Sequence, residues 1–244
     1  MTTYGRSRNP GKIDPLVFGS AYSLVVQSLS PIGYWPLDDP SGTSIAATVG
    51  SSGTYVNGPI LGVGGPSSKI ATGVQFDGSN DYGTISLDLS SVATVTFSFW
   101  LYWDAFADND KMAMEHTATW SANRGILFVP NEASTHGFVC GMGTTGGTNY
   151  RFLTITRPSA NAWHHYAFRL DRSAQTVTAR VDGSAVSGTL ITSGTVSGNF
   201  VNSTLYLMSR AGTSFYGAGR LAHIAVFSTI LSDADCSTLY QAGI

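Results

Sequence analysis

Residues 20–30, "SAYSLVVQSLS", carry apolar side chains at the spacing of an α-helix. Four of them fall at i, i+3, i+4 and i+7, on one helical face, and these are Tyr22, Val25, Val26 and Leu29. Ser20 precedes this stripe and can accept a hydrogen bond from a free backbone N–H of the first turn. Pro31 cannot continue a helix. We therefore predict one short helix at this place in the chain.

Beyond Pro31 the apolar residues take up the two-residue period of β-strands. The strand "TVTFSFWLYWD" is apolar on both faces, which predicts a central strand covered on both sides or a binding groove on one side. One face carries Val95, Phe97, Phe99, Leu101 and Trp103, and the other carries Trp100 and Tyr102.

A late strand, "GRLAHIAVFS", alternates in the same way. Strict alternation predicts that one face carries Leu221, His223, Ala225 and Phe227, and that the other carries Ala222, Ile224 and Val226.

Several further runs have strand character and are separated by turn residues, which is typical of an antiparallel sandwich. These runs are "VQF", "GTISL", "GILFVP", "HGFVCGMG", "NYRFLTIT", "WHHYAFRLD", "QTVTARVDG" and "STLYLMSR". The tract "SGTLITSGTVSG" is interpreted as loop or edge strand. The chain closes with a predicted helix, in which Ser232 caps the first turn and Asp235 completes a capping box.

Four segments, in this order, resemble the laminin-G-like, concanavalin A-like lectin/glucanase jelly roll. They are "GYWPLDDPSG", "GVQFDGSNDYGTISL", "FSFWLYWD" with the later "WHHYAFRLD" and "VDG", and "GRLAHIAVFSTILSDADCSTLY". The resemblance implies an all-β antiparallel jelly-roll sandwich with a short helix at each end. The opening "SPIGYWPLDDPSG" is also similar to the start of such domains in phage structural proteins.

The same resemblance bears on catalysis. Hydrolases of this fold carry a Glu-x-Asp-x-x-Glu strand, because glycoside hydrolysis needs two carboxylates facing each other across the sugar. The chain has two glutamates, Glu115 and Glu132, and neither is followed by acids at that spacing. Family members also often place an acidic pair where this chain has Ala222 and His223. We therefore expect no enzymatic activity.

Asp38 and Asp39 are adjacent carboxylates in "GYWPLDDPSG". Neighbouring strand residues point to opposite faces, so the two do not form one catalytic pair. Aspartate before proline and glycine is typical of a turn, and we interpret the pair in that way.

The segment "FDGSNDY" offers oxygen ligands from Asp77, Asn80 and Asp81, and Ca²⁺ takes six to eight oxygens. A calcium site is one interpretation, with Asp108 and Asp110 as the other acids at hand. The alternative is a tight turn held by bonds from Asx side chains to the backbone. We expect no other cofactor.

Trp100, Tyr102 and Trp120 are predicted to stack on sugar rings, together with Tyr150 and Trp163, while the alternative is that these aromatics fill the core. His164 and His165 are strand neighbours that point to opposite faces, so they do not share a metal ion. The spacing of the residues supports no Ser-His-Asp arrangement.

Charged residues make up 11% of the 244 residues, against roughly 25% in typical soluble proteins. The net charge of −2 gives no attraction to nucleic acid or to an anionic membrane, so neither is an expected partner. Such a neutral surface suits close neighbours or neutral sugars. The two cysteines, Cys140 and Cys236, are expected to be free and buried rather than paired.

We predict two parts, an arm over residues 1–20 and a jelly-roll domain over residues 21–244. The arm is basic and shows no apolar run, so we expect no secretory signal, and we expect synthesis in a host cytoplasm. Its predicted contacts with a partner protein come from Tyr4, Arg6, Arg8 and Lys12. The predicted function is a structural protein of a phage virion, in the capsid or tail, that binds other virion proteins and copies of itself. The alternative is a carbohydrate-binding module for host-surface glycans.

Overall fold

Two antiparallel β-sheets, packed face to face, form most of the molecule. The computed structural model describes residues 20–107, 109–121 and 123–244. The predicted arm, with the partner contacts of Tyr4, Arg6, Arg8 and Lys12, therefore lies outside the described residues except for Ser20, and so does Asp108.

In chain order the elements are α1 (Ala21–Ser28), β1 (Gly33–Trp35), β2 (Ser44–Ile45), β3 (Gly53–Val56), β4 (Ile60–Ser67), β5 (Ile70–Asp77), β6 (Tyr82–Asp88), β7 (Thr94–Trp103), β8 (Met114–His116), β9 (Ile126–Val129), β10 (Phe138–Gly143), β11 (Tyr150–Ile155), β12 (Trp163–Asp171), β13 (Thr176–Val181), β14 (Ser184–Ala185), β15 (Gly188–Ser193), β16 (Asn202–Leu207), β17 (Ala218–Phe227) and α2 (Asp233–Gly243).

The eight-stranded sheet has the order β14-β13-β12-β7-β17-β5-β4, and β1 also pairs with β17. The nine-stranded sheet has the order β15-β11-β10-β9-β8-β16-β6-β3-β2. All strand pairs are antiparallel. Successive strands often change sheets, as β5 and β6 do. The predicted all-β jelly-roll sandwich is confirmed.

Aromatic rings from both sheets interlock in the core. Phe97 and Phe99 of β7 lie 5.1 and 5.5 Å, centroid to centroid, from Phe128 of β9 in the opposite sheet. Phe168 of β12 adds a third partner for the same ring at 5.5 Å. All four side chains are fully buried. The predicted apolar face of β7 therefore joins the two sheets.

The outer face of the eight-stranded sheet is covered by both helices. Tyr22 and Val26 of α1 pack with Trp100 of β7 in a second apolar layer. Ser20 accepts the predicted bond from the backbone N–H of Ser23 at 3.2 Å. The capping box of α2 is also present, so both predicted helices and their caps are confirmed. Within the described residues, neither helix has the length and apolar content needed to cross a bilayer.

The two free cysteines lie in different layers. Cys140 belongs to the core between the sheets, and Cys236 to the layer under the helices. Burial raises the pKa of both thiols. Both groups are therefore protonated packing residues at neutral pH.

The predicted faces of β17 are wrong at its start. Leu221 lies in the core together with Ile224, whereas Ala222 and Ala225 lie under the helices. The register with β7 shifts between Ala222 and Ala225, and His223 has a φ of +50°. A β-bulge inserts one extra residue and so breaks the two-residue period.

Three histidines are buried with a neutral ring. His165 contacts the Ser98 hydroxyl through Nε2 at 2.9 Å, and His116 donates from Nε2 to the Leu87 carbonyl oxygen at 3.0 Å. Burial lowers the pKa of each ring to about 4. His223, whose Nδ1 lies 2.6 Å from the Tyr34 hydroxyl, has its pKa lowered by burial to about 3.

We expect Phe97→Ala and Phe99→Ala each to lower the free energy of unfolding by roughly 3–5 kcal/mol, because each leaves a cavity among packed rings. Urea melts would measure this. Ile60→Ala is the matched control, since its side chain is 60% exposed, and it should shift stability by less than about 0.5 kcal/mol. Midpoints near that of the wild type for both phenylalanine variants would contradict the core assignment.

We expect stability to depend on His165 as the pH falls. The pKa of His165 is about 4 in the folded protein and about 6.5 in the unfolded chain. Between these two pH values the ring is protonated in the unfolded chain and neutral in the folded protein. The contribution of His165 to the free energy of unfolding is therefore complete above pH 6.5 and is lost as the pH falls toward 4. Between pH 7 and 5, His165→Gln should lose about 2 kcal/mol less than the wild type in urea melts. Equal losses would contradict a neutral buried ring.

Candidate functional site

A groove of about 330 Å³ lies on the outer face of the nine-stranded sheet. Strand residues alternate between core and surface, so β9 and β10 send every second side chain to this face. The floor is a separate apolar cluster made of Met112, Leu127, Val129 and Val139. We name this feature the aromatic groove, after the rings that form its wall.

Trp120, Tyr150 and Phe152 form that wall. The ring of Trp120 meets Phe152 edge to face at 4.9 Å, and Tyr150 stacks on Phe152 at 4.7 Å. Two glycines of β10 make room for these rings: a Cβ at Gly143 would come within 2.7 Å of the Trp120 ring, and a Cβ at Gly141 would overlap Phe152. The rings of Trp120 and Phe152 therefore pack directly on the backbone of β10.

Glu115 links the wall to two further residues of the groove, Arg210 and Phe215. Its buried carboxylate accepts a hydrogen bond from the backbone N–H of Trp120 at 2.6 Å and one from Nε of Arg210 at 2.8 Å. Burial raises its pKa, and the Arg210 pairing opposes that rise. The Arg210 guanidinium lies 4.6 Å from the ring centroid of Phe215, which also lines the groove. One side chain thus positions both the backbone of Trp120 and the guanidinium of Arg210.

The polar rim contains two further carboxylates, Asp110 and Glu132. Burial alone would raise the pKa of Glu132, but hydrogen bonds from the backbone and hydroxyls of Ser134 and Thr135 lower it. Asp110 accepts a bond from the backbone N–H of Ala133 at 2.9 Å. The rim therefore presents acceptor oxygens, while Arg210 presents donors.

The predicted stacking residues lie on opposite sides of the sandwich. Trp120 and Tyr150 line the aromatic groove, and their contact with sugar stays a prediction. Trp100 is only 2% exposed, and its Nε1–H donates to the Tyr22 hydroxyl at 3.2 Å beneath the helices. Tyr102 lies on that same outer face, where Arg220 covers its ring at 4.5 Å. Trp100 therefore offers no free ring face.

The Asp77–Asp81 segment is a hydrogen-bonded turn between β5 and β6. One carboxylate oxygen of Asp77 accepts bonds from the backbone N–H groups of Ser79, Asn80 and Asp81 at 2.8, 3.2 and 3.3 Å. Burial acts to raise its pKa, but these bonds lower it. Among the described residues no group of three or more His, Cys, Asp or Glu side chains is placed to hold a metal ion. Calcium binding by Asp77, Asn80 and Asp81 stays a prediction.

Asp38 and Asp39 have different surroundings. Asp38 is exposed. Asp39 is buried and accepts bonds from the Ala46 backbone N–H at 3.0 Å and from the Tyr55 hydroxyl at 2.9 Å. Asp39 therefore holds the segment after β1 against β2 and β3.

His164 lies between a serine and an aspartate, which spacing alone did not reveal. Its Nε2 is 3.3 Å from the Ser159 hydroxyl, and its Nδ1 is 2.7 Å from Asp182 Oδ2. Asp182 also accepts the backbone N–H of His165 at 2.9 Å. None of Ser159, His164 and Asp182 lines the aromatic groove. The network ties the segment before β12, at Ser159, to the turn after β13, at Asp182.

The sequence reasoning missed Arg210 and Phe215 as groove residues. Both lie in the connection between β16 and β17, far along the chain from Glu115 and Trp120. The usable signal was Glu115 itself, an acid that directly follows the apolar residues Met112, Ala113 and Met114, because a buried carboxylate needs a cationic partner.

Comparisons with known proteins agree with this architecture. Residues 77–237 match the family described as the concanavalin A-like lectin/glucanases superfamily. A search of the curated proteins found no match.

Similar solved structures share the fold at low sequence identity. Domain 4 of AbnA, a GH43 extracellular arabinanase from Geobacillus stearothermophilus, in complex with arabinotriose, is 15% identical with a TM-score of 0.65, over 86% of this chain and 98% of that one. The binding domain of botulinum neurotoxin DC, in complex with SialylT, is 10% identical with a TM-score of 0.60, over 90% and 52%. The sialidase of Trypanosoma rangeli is 10% identical with a TM-score of 0.56, over 86% and 32%. This chain thus spans about a third of the sialidase and half of the toxin domain, and the likeness concerns the fold.

Proposed function

The chain belongs to the concanavalin A-like lectin/glucanase superfamily, and we propose that it binds carbohydrate in the aromatic groove without cleaving it. The observation that carries this proposal is the wall formed by Trp120, Tyr150 and Phe152 beside a rim of donors and acceptors. Binding sites for small ligands typically combine apolar rings with a few polar groups that fix orientation. The C–H faces of a sugar pack on the rings, and its hydroxyls bond to the rim.

The charges of the groove favour a neutral sugar chain. Arg210 is already paired with Glu115, while Asp110 and Glu132 add negative charge at the rim. An acidic sugar would lie close to these carboxylates, and like charges repel. The ligand of the AbnA domain, arabinotriose, is therefore a better first probe than a sialylated glycan.

Binding without cleavage is supported by the surroundings of the two glutamates. Glu115 is fully buried and bonded to Trp120 and Arg210, and one Glu132 oxygen accepts four hydrogen bonds from its own turn. A general acid and a nucleophile must both reach the glycosidic bond. Glu115 is held away from solvent, so this pair does not supply both groups.

We expect arabinotriose or another neutral oligosaccharide to bind, and Trp120→Ala to raise its dissociation constant roughly thirtyfold, since removing a central aromatic contact costs about 2 kcal/mol. Titration calorimetry would measure this after a neutral-glycan array has ranked the ligands. Trp163→Ala is the matched control, because Trp163 packs on Tyr102 at the outer face of the other sheet. If no neutral glycan binds, or if both variants weaken binding equally, the groove is not the sugar site.

We further propose that the chain is a structural component of a phage virion, in the capsid or the tail, and that residues 1–20 attach it to other virion proteins. Support comes from the "SPIGYWPLDDPSG" opening, the low charge of the chain, and the anchoring of α1. Tyr22 and Val26 are fully buried against the domain, so α1 is held at a fixed place on it. Sugar binding on a virion surface is compatible with this role.

We expect deletion of residues 1–19 to prevent incorporation into virions while the domain keeps its melting temperature and its affinity for sugar. The reason is that attachment and folding use different parts of the chain. Incorporation would be measured by mass spectrometry of purified particles. A second variant tests the contacts directly. With the four proposed contact residues, Tyr4, Arg6, Arg8 and Lys12, changed to serine, the full-length chain should also fail to be incorporated into virions. Normal incorporation of the deleted chain would refute attachment through the arm.

A further inference from the structure

Within the described residues, β15 is a sheet edge with no strand paired to its outer side. It forms six consecutive pairs with β11 on one side and is the terminal strand of the nine-stranded sheet on the other. Its sequence, "GTLITS", contains no charge and no proline, and its residues are exposed from Gly188 through Thr192. Leu190 and Ile191 are 36% and 40% exposed. An exposed, uncharged edge of this kind is a template for pairing with another strand.

The other edge strands of the described residues are blunted. Strands β2 and β14 have two residues each, and β1 has three and is bridged by Val49. Strand β4 is longer, but its register with β5 shifts twice and it contains Pro66. Short length, bulges and proline are the devices that keep sheet edges from pairing. Among the edge strands of the described residues, β15 is the long one that has neither a register shift nor a proline.

Buried side chains hold β15 in place for pairing. Arg151 donates from Nη1 to the Ser193 carbonyl oxygen at 3.1 Å and from Nη2 to the Gly194 carbonyl oxygen at 2.8 Å. Arg172 donates to the carbonyl oxygens of Ser197 and Gly198 in the segment that follows. The strand and its exit are therefore fixed before any partner arrives, which lowers the entropy lost on binding.

We propose that β15 pairs antiparallel with β15 of a second copy of this chain, around a two-fold axis perpendicular to the sheet. The strand carries no charge, so a copy meets no like charge across the axis, and Leu190 and Ile191 of both copies become covered. A two-fold interface joins the same patch of both subunits. The two nine-stranded sheets then form one continuous sheet, with both aromatic grooves on the same side.

The pairing uses the backbone edge of β15. For pairing centred on Leu190, a lysine at position 189 faces a lysine at position 191 of the other copy, and for pairing centred on Ile191 the two lysines at position 191 face each other. Like charges directly opposite each other destabilise a strand pair. The double variant Thr189→Lys/Ile191→Lys therefore tests both registers at once. Ser184→Lys/Ala185→Lys is the matched control, because β14 is also an exposed edge.

Light scattering of the full chain across a concentration series is the test. We expect a dimer for the wild type and the control, and a dissociation constant raised at least about tenfold in the double variant, with an unchanged melting temperature. Hydrogen exchange should show β15 amides that are protected in the dimer and exposed on dilution. A wild type that stays monomeric up to about 1 mM overturns the proposal, as does a dimer that the β15 lysines leave intact.

Discussion

The burial of β7 on both faces is the constraint on which the rest of the structure depends. Its inner face contributes Phe97 and Phe99 to the packing between the sheets, and its outer face contributes Trp100 to the layer under the helices. Covering the outer face requires α1 and α2, since the opposite sheet reaches only the inner one. The helices thus close the side of the sandwich that holds Trp100, and the aromatic groove lies on the other side.

The groove depends in turn on one buried acid. Removing the Glu115 carboxylate from water is costly, and its two bonds offset that cost only if the Trp120 backbone and Arg210 stay in place. The wall rings rest on Gly141 and Gly143, where no side chain intervenes. Positions that look unrelated along the chain are therefore linked energetically, which is the condition for a binding surface that is ordered without its ligand.

Much of this fold could be predicted from the sequence because its signals are local. The two-residue period marked β7 and most of the long strands, and Ser20 and Ser232 marked where the helices begin. Short strands such as β2, β8 and β14 gave no period to detect. The start of β17 was misassigned because the bulge near His223 adds a residue that alternation cannot reveal. The groove joins Trp120 to Arg210 across a long stretch of chain, so pairing the two required the folded structure.

The isolation of Cys140 and Cys236 in separate apolar layers has a consequence for where the fold can persist. Because the two thiols lie in separate layers, the described fold depends on no disulfide. Its architecture is then the same in a reducing compartment, where glutathione keeps thiols free, and in an oxidising exterior. No covalent rearrangement is therefore needed for the fold to persist in either environment.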